Sequence, residues 1–292
     1  MRRNKRTAWL LLAPFILVTA LVIIAIINII LQSLGYIPGF GMQEISLKYY
    51  KEILAKPEVI QSLWVSIKIS VISSLGAAIL GTLLCAALVK SHKDHGLPLY
   101  TVRLPILVPH TVVAVFTVAL LSQTGLFARL AYAMGLIGDY TEFPTLLYGE
   151  GYVGVIIAYL WKEIPFIAYF ALALMSSISD SLGEAAENLG ASPIKSFFHI
   201  TLPMSMPAII RGFVIVLVFS FGGYELPLLL GSTMPKAFPV YTYIEYIKPD
   251  LHNRPYAMAM NGITLIISAV IAVAYAIVMA KLTKKLGGDY EK

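Results

Sequence analysis

Three groups of residues have types and spacings that could do chemistry. The first is Glu225, in the run Phe219-Ser-Phe-Gly-Gly-Tyr-Glu-Leu-Pro-Leu-Leu-Leu-Gly231. An ionisable side chain in hydrocarbon costs about 2.5–3.5 kcal/mol on insertion scales, so it marks a solute path, an ion site or a buried pair. The glycines and Pro227 free backbone groups, which is tolerated where a cavity is lined. Tyr224 and Glu225 are therefore candidates to face a polar or cationic solute. The competing reading is a salt bridge from Glu225 to Lys162 or to a partner chain. The second group is Lys162 and Glu163, which follow Trp161 near the middle of another apolar run. Adjacent helix positions point about 100° apart, so these two do not simply pair with each other. Either one of them faces a polar cavity or a neighbouring subunit, or both pair structurally. The third group is a polar segment between these runs, Ser179-Asp-Ser-Leu-Gly-Glu-Ala-Ala-Glu-Asn-Leu-Gly-Ala-Ser-Pro-Ile-Lys-Ser-Phe-Phe-His-Ile-Thr-Leu-Pro203.

Enzyme chemistry has little support. No G-x-x-x-x-G-K-[ST] phosphate loop occurs, so energy must come from a partner subunit or an ion gradient. No Gly-x-Ser-x-Gly elbow and no His-Glu-x-x-His occurs, which leaves an intramembrane enzyme as a weak option. His92, Asp94 and His95 lack a third strong ligand and read as a solvated loop rather than a metal site. Cys85 is the one cysteine, so neither an intrachain disulfide nor a cysteine-based zinc site is available. Its apolar neighbours make it a small buried hydrophobe.

The elements that must position these residues follow from composition. Of 292 residues, 58% are hydrophobic and 13% charged, against about 45–50% and about 25% in soluble domains. Disorder is excluded, and an ordinary soluble enzyme lacks the interior to hide so much apolar surface. A membrane helix needs about 20 apolar residues to cross about 30 Å of hydrocarbon. Six stretches meet or approach this, at residues 8–31, 63–89, 104–122, 152–175, 209–230 and 259–280. The first is longer than the core of a signal peptide and has no small-residue cleavage site after it, so it reads as an uncleaved span. The expectation is an all-α polytopic membrane protein, one transmembrane domain over 1–292, with a cytoplasmic loop at 176–207. In the external loop at 123–151, Leu126, Leu130, Met134 and Ile137 predict a short amphipathic helix at the interface.

Lysine and arginine set the orientation. Arg2, Arg3, Lys5, Arg6, Lys90, Lys93, Arg103, Lys195, Arg211, Lys281, Lys284, Lys285 and Lys292 fall on the side that holds both termini. They outnumber the bases of the opposite loops, so both termini are expected in the cytoplasm. The formal net charge of +6 is then a property of the cytoplasmic face, and nucleic acid is not needed to explain it.

Local rules give the polar segment a shape. Ser181 and Glu184 form a capping-box pattern that would start a helix at Leu182. Gly190 can take the left-handed conformation that ends it. Ser192 and Pro193 suit the N-cap and first position of a second helix through Ile194, Phe197, Phe198 and Ile200. Pro203 and Pro207 would then break or kink the chain. Physics alone leaves two readings, a loop resting on lipid headgroups and a docking surface for a cytoplasmic partner.

This segment resembles the signature (EAA) loop of integral membrane permeases of ATP-binding-cassette importers: Glu-Ala-Ala, three residues, Gly, nine residues, Ile, one residue, Leu-Pro. Glu184, Ala185, Ala186, Gly190, Ile200, Leu202 and Pro203 stand at that spacing, and the span count and loop position agree. The resemblance implies a type I importer permease fold in the cytoplasmic (inner) membrane, in contact with lipid. It implies a loop that inserts into a separate ATPase subunit, a second permease subunit, identical or paralogous, and an extracytoplasmic solute-binding protein. ATP and magnesium would belong to the ATPase subunits, with no cofactor in this chain. The runs Ala185–Ser192 and Gly223–Gly231 also resemble the branch handling polyamines, thiamine, aminoethylphosphonate and ferric iron. The function expected is import of a small polar or charged solute, polyamine-like by preference, by alternating access. Phe219, Tyr224, Glu225, Lys162 and Glu163 would line the pathway or gate. The rival is a self-contained carrier or channel driven by a gradient, with Glu225 and Glu163 as ion or proton sites.

Overall fold

The computed structural model describes residues 5–285. Arg2, Arg3, Asp289, Glu291 and Lys292, part of the terminal charge, lie outside the described residues. The helices are α1 (Lys5–Ser33), α2 (Lys48–Leu54), α3 (Pro57–Lys90), α4 (Gly96–Leu107), α5 (His110–Leu121), α6 (Leu126–Ala133) and α7 (Val153–Ile178). They continue with α8 (Glu184–Asn188), α9 (Pro193–Ser196), α10 (Leu202–Gly222), α11 (Glu225–Leu230), α12 (Phe238–Tyr246) and α13 (Arg254–Lys285). Among the described residues there is no strand, and one isolated bridge joins Ile37 and Met42. Six stretches are long and apolar enough to cross a membrane: Trp9–Ser33, Pro57–Lys90, His110–Ala133, Val153–Asn188, Pro193–Gly222 and Leu251–Leu282. The fold is all-α and polytopic, as composition required.

Contacts divide the chain into two units. One comprises residues 1–60 and 241–267. Here Tyr50 donates to Ser33 Oγ at 2.9 Å, and Tyr256 donates to Glu52 Oε2. The Tyr49 and Tyr256 rings meet edge to face at 5.0 Å. Most apolar side chains of α1 are exposed, as suits a helix whose surroundings are not water.

The other unit comprises residues 61–240 and 268–292 and contains both candidate sites. Its centre is α7, packed on α4 and α10. Ala77 of α3, Ile167 of α7 and Val216 of α10 form one buried cluster. Cys85, Leu88 and Val89 of α3 join Leu99, Ala168, Leu172, Met175 and Ile209 in another. Cys85 is thus the buried hydrophobe expected. Along the inner face of α3, Ser62, Ser66, Ser70 and Ser73 are buried. Ser70 and Ser73 return their hydroxyls to carbonyls three residues back, which lets small polar side chains pack inside a helical assembly.

Several boundaries differ from expectation. The third apolar run is not continuous from 104 to 122, because α4 ends at Leu107 and α5 begins at His110. Val108 is extended (φ −73°, ψ 128°), the conformation that the following Pro109 imposes. The run at 209–230 belongs to a helix that starts at Leu202, breaks at Gly223–Tyr224 and resumes as α11. Arg103 and Arg211, expected in loops, therefore sit inside α4 and α10. The capping box does not form. Ser181 donates back to the Ser177 carbonyl at 2.7 Å, and α7 continues through a π-turn at Ser179–Gly183 into α8, so no helix starts at Leu182. Pro203 does not break the chain either. It occupies the first turn of α10, after a π-turn at Phe197–Thr201, where a missing N–H is harmless. The amphipathic helix is α6, and it stops before Met134 and Ile137.

Candidate functional site

The polar segment closes on itself. After α8, Gly190 takes φ +96°. Its N–H donates to the Glu187 carbonyl at 2.9 Å and that of Ala191 to the Ala186 carbonyl at 3.0 Å, the paired bonds of a Schellman ending. Ser192 Oγ then caps α9, accepting from the Lys195 N–H at 3.4 Å. Ser196 Oγ donates to the Gly183 carbonyl at 3.2 Å, tying the two arms together. This hairpin of short helices presents Leu189, Ile194 and Phe198 outward, 90%, 68% and 57% exposed. Glu184 and Ala185 are exposed and Ala186 half-exposed. Covering a leucine fully would be worth about 1.5–3 kcal/mol to this hairpin. At its foot, Phe197 and Leu202 pack on the cluster of Cys85, Leu99, Leu172 and Met175. Ile200 and Pro203 are half-buried there. The foot of the hairpin thus packs against α3, α4, α7 and α10. A cleft of about 530 Å³ lies between the hairpin and the end of α3, with Lys90 and His92 across from Asp180, Glu184 and Glu187.

Asp94 fastens the neighbouring loop. Ser176 of α7 donates to its Oδ2 at 2.7 Å, and His95 Nδ1 lies 3.0 Å from Oδ1. The Ser176 bond, then the His95 bond, hold the carboxyl below the usual aspartate range.

The intramembrane residues gather where two helix breaks meet α7. Lys162 Nζ donates to the Val108 carbonyl freed by the break between α4 and α5, which also sets a positive charge at the carbonyl end of α4. Tyr159, wholly buried, lies against Gly223, where a Cβ would strike its hydroxyl. Glu225 opens α11, and its Oε2 lies 3.7 Å from His110 Nδ1 at the start of α5. The His110 and Phe219 rings are 5.3 Å apart. Phe219, Glu225 and His110 thus form one group across α5, α10 and α11, with Tyr224 the residue just before Glu225. Glu163 does not join them. It is buried at 4% exposure and accepts from Ser220 Oγ of α10, a tie between two helices. Among the described residues no ion pair links Glu225 to Lys162. His110 was missed by the sequence reasoning. The available signal was an ionisable ring next to Pro109 at the head of an apolar run.

The family described as the binding-protein-dependent transport system inner membrane component matches residues 96–284. The chain belongs to this family. It is a non-catalytic permease component of the ABC importer type, and both candidate sites fall within the matched residues. The putrescine transport system permease protein PotI of Escherichia coli (strain K12) is 29% identical over 177 residues, 60% of this chain. That stretch spans only 57% of the relative's own length. The probable ABC transporter permease protein YurN of Bacillus subtilis is 27% identical over 278 residues, 91% of this chain and 93% of YurN. The sn-glycerol-3-phosphate transport system permease protein UgpA of Pectobacterium atrosepticum is 30% identical over 74% of each chain. A chain from the crystal structure of a bacterial ABC transporter that imports the acidic polysaccharide alginate shares the fold, with TM-score 0.71 and 21% identity over 95% of this chain and 99% of that one.

Proposed function

We propose that this chain, as a single transmembrane permease domain over 1–292, works as one of two permease subunits, identical or paralogous, of an ATP-driven importer. Its hairpin at Glu184–Pro203 docks into a cytoplasmic ATPase subunit, with Glu184, Ala185, Ala186 and Gly190 shaping the tip and Ile200, Leu202 and Pro203 anchoring the foot. ATP and magnesium are bound by the ATPases, an extracytoplasmic binding protein delivers the solute, and lipid surrounds the spans. Both termini face the cytoplasm. The observation that carries this reading is the exposed apolar tip, held in one shape by the Gly190 ending and rooted in the core shared by α3, α4, α7 and α10. ATPase closure would move the tip, and the packed foot would pass that movement to the breaks at Val108–Pro109 and Gly223–Tyr224. There Phe219, Tyr224 and Glu225, with His110, would line the pathway or gate. Lys162 stands at the same level, and Glu163 would hold α7 to α10 rather than meet solute.

The cargo is a small polar or charged solute. Similarity to the putrescine permease favours a polyamine-like cation, and similarity to the glycerol-phosphate permease favours an anion. Cysteine cross-linking tests the docking. In the assembled transporter, with buried Cys85 replaced by alanine, a Leu189→Cys variant should cross-link to the ATPase subunit and a Tyr132→Cys variant should not. Failure of Leu189→Cys, with a Phe198→Cys variant failing equally, would remove the docking role.

A further inference from the structure

Resting on the pathway reading above, we propose that the inner half of that pathway is built for an anionic solute, with Arg211 and Arg103 flanking it below Lys162. The argument starts from the face of α10 that carries Phe219. Side chains at i, i+4 and i+8 share a helix face, which places Arg211 and Ile215 in line with Phe219. All three are exposed, Ile215 at 46% and Phe219 at 54%. Phe219 is the residue that meets His110, so the stripe runs from the outer group inward. Eight residues at 1.5 Å each set Arg211 about 12 Å from Phe219 along the axis.

The opposite wall supplies a second cation at the same depth. The Arg103 guanidinium of α4 lies 4.1 Å from the ring centroid of Tyr169 on α7. On the other side of that turn, Gly212, the neighbour of Arg211, lies against Phe170. Arg103 thus covers one side of the Tyr169–Phe170 turn of α7 from α4, while the α10 backbone next to Arg211 packs on the other side, which sets the two arginines at a similar depth. Lys162 is seven residues, two turns, away on the same face of α7 as Tyr169.

A positive cytoplasmic face is general for membrane proteins, and headgroup anchoring is the alternative for these arginines. An anchoring side chain extends to the headgroups. Arg103 instead folds onto an aromatic face between helices, and its Nε has no hydrogen-bond partner in the protein. Neither arginine forms an ion pair among the described residues; of the acids on or beside these helices, Glu163 accepts from Ser220, Glu225 lies beside His110 at the outer group, and Asp94 is tied to Ser176, two turns of α7 below Tyr169. The two unpaired guanidinium groups on this stretch would raise the local concentration of anions and lower that of cations.

Thiol reagents of opposite charge test this without knowledge of the solute. An Ile215→Cys variant in a Cys85→Ala background is assembled with its partner subunits in proteoliposomes. Its modification rates with sulfonatoethyl and trimethylammonioethyl methanethiosulfonate are normalised to a free thiol. Arg211, one helical turn from residue 215 and about 6 Å away, should in a wet path favour the anionic reagent roughly three- to tenfold. Arg211→Gln should remove most of that preference, and Arg211→Lys should keep it. Equal rates, or preference for the cationic reagent, would overturn the proposal. No reaction with either reagent would instead show that this face is not in a water-filled path, which overturns the pathway reading beneath it. Mass spectrometry of the solute released from the cognate binding protein gives an independent result. An anion is expected, and a neutral or cationic solute overturns the inference.

Discussion

Replacing Gly190 separates shape from size at the docking tip. Its φ of +96° is unfavourable for any residue with a Cβ, and no atom lies within 4 Å of where that Cβ would stand. A substitution therefore acts through the backbone and not through a clash inside the chain. The left-handed conformation costs an L-residue about 1–2 kcal/mol, more for a β-branched one and less for asparagine. Leaving that conformation instead gives up the two Schellman bonds, from Gly190 and Ala191, at about 0.5–1.5 kcal/mol each. A valine therefore either holds the turn at a cost of at least about 1–2 kcal/mol or leaves it and gives up about 1–3 kcal/mol of hydrogen bonding, and either cost populates forms in which Leu189 no longer points outward. The expected order of transport in proteoliposomes is Gly close to Asn, then Ala, then Val. Gly190→Val should lose at least tenfold in uptake while the assembled complex keeps ATPase activity. If the position mattered only as a surface packed against the ATPase, the order would follow side-chain size, with Ala better than Asn. That order, or full transport by Gly190→Val, would refute the reasoning.

Three further outcomes are expected. Lys162→Met leaves the Val108 carbonyl without its donor and should cost about 1–3 kcal/mol of stability, read as a lower midpoint in thermal denaturation of the detergent-solubilised complex. A midpoint equal to wild type would show that the tie is not made. Asp94 is held below the usual aspartate range, so its contribution is complete above the ordinary value and lost as pH falls through the lowered one. Below about pH 4, wild type should lose stability relative to Ser176→Ala, and parallel curves would contradict the tie. Glu225→Gln keeps the size and removes the charge facing His110. Uptake should change several-fold if the pair lines the pathway, and unchanged uptake would leave it a structural contact.

Local features of the chain were legible where the physics is local. Gly190, Ser192 and Pro193 each satisfy a backbone requirement within a few residues, and the turn and second helix form around them as read. Ser181 met the capping pattern equally well, but a cap needs a helix that begins there, and α7 arrives already wound. The hydrophobic runs located the spans because length and hydropathy suffice for that. They hid the break at Val108–Pro109, since averaging over some twenty residues dilutes one proline. They also pushed Arg103 out to a loop, because a run that seeks apolar residues starts after a charge, and they left Arg211 at the edge of its run although it lies well inside α10. The candidate pathway was half legible. Glu225 and Lys162 are conspicuous as charges in apolar runs, but their partners, His110 and the Val108 carbonyl, are distant in sequence and brought near only by folding. Glu163 stood out for the same reason as Lys162, yet one residue of helix rotation turns it toward Ser220 and α10.

Solute uptake by purified subunits reconstituted into proteoliposomes tests the central claim most directly. With the cognate binding protein, ATPase subunits and internal ATP present, solute should accumulate, and omission of the ATPases or of ATP should abolish it. Accumulation by this chain alone, driven by an ion gradient without nucleotide, would contradict the account.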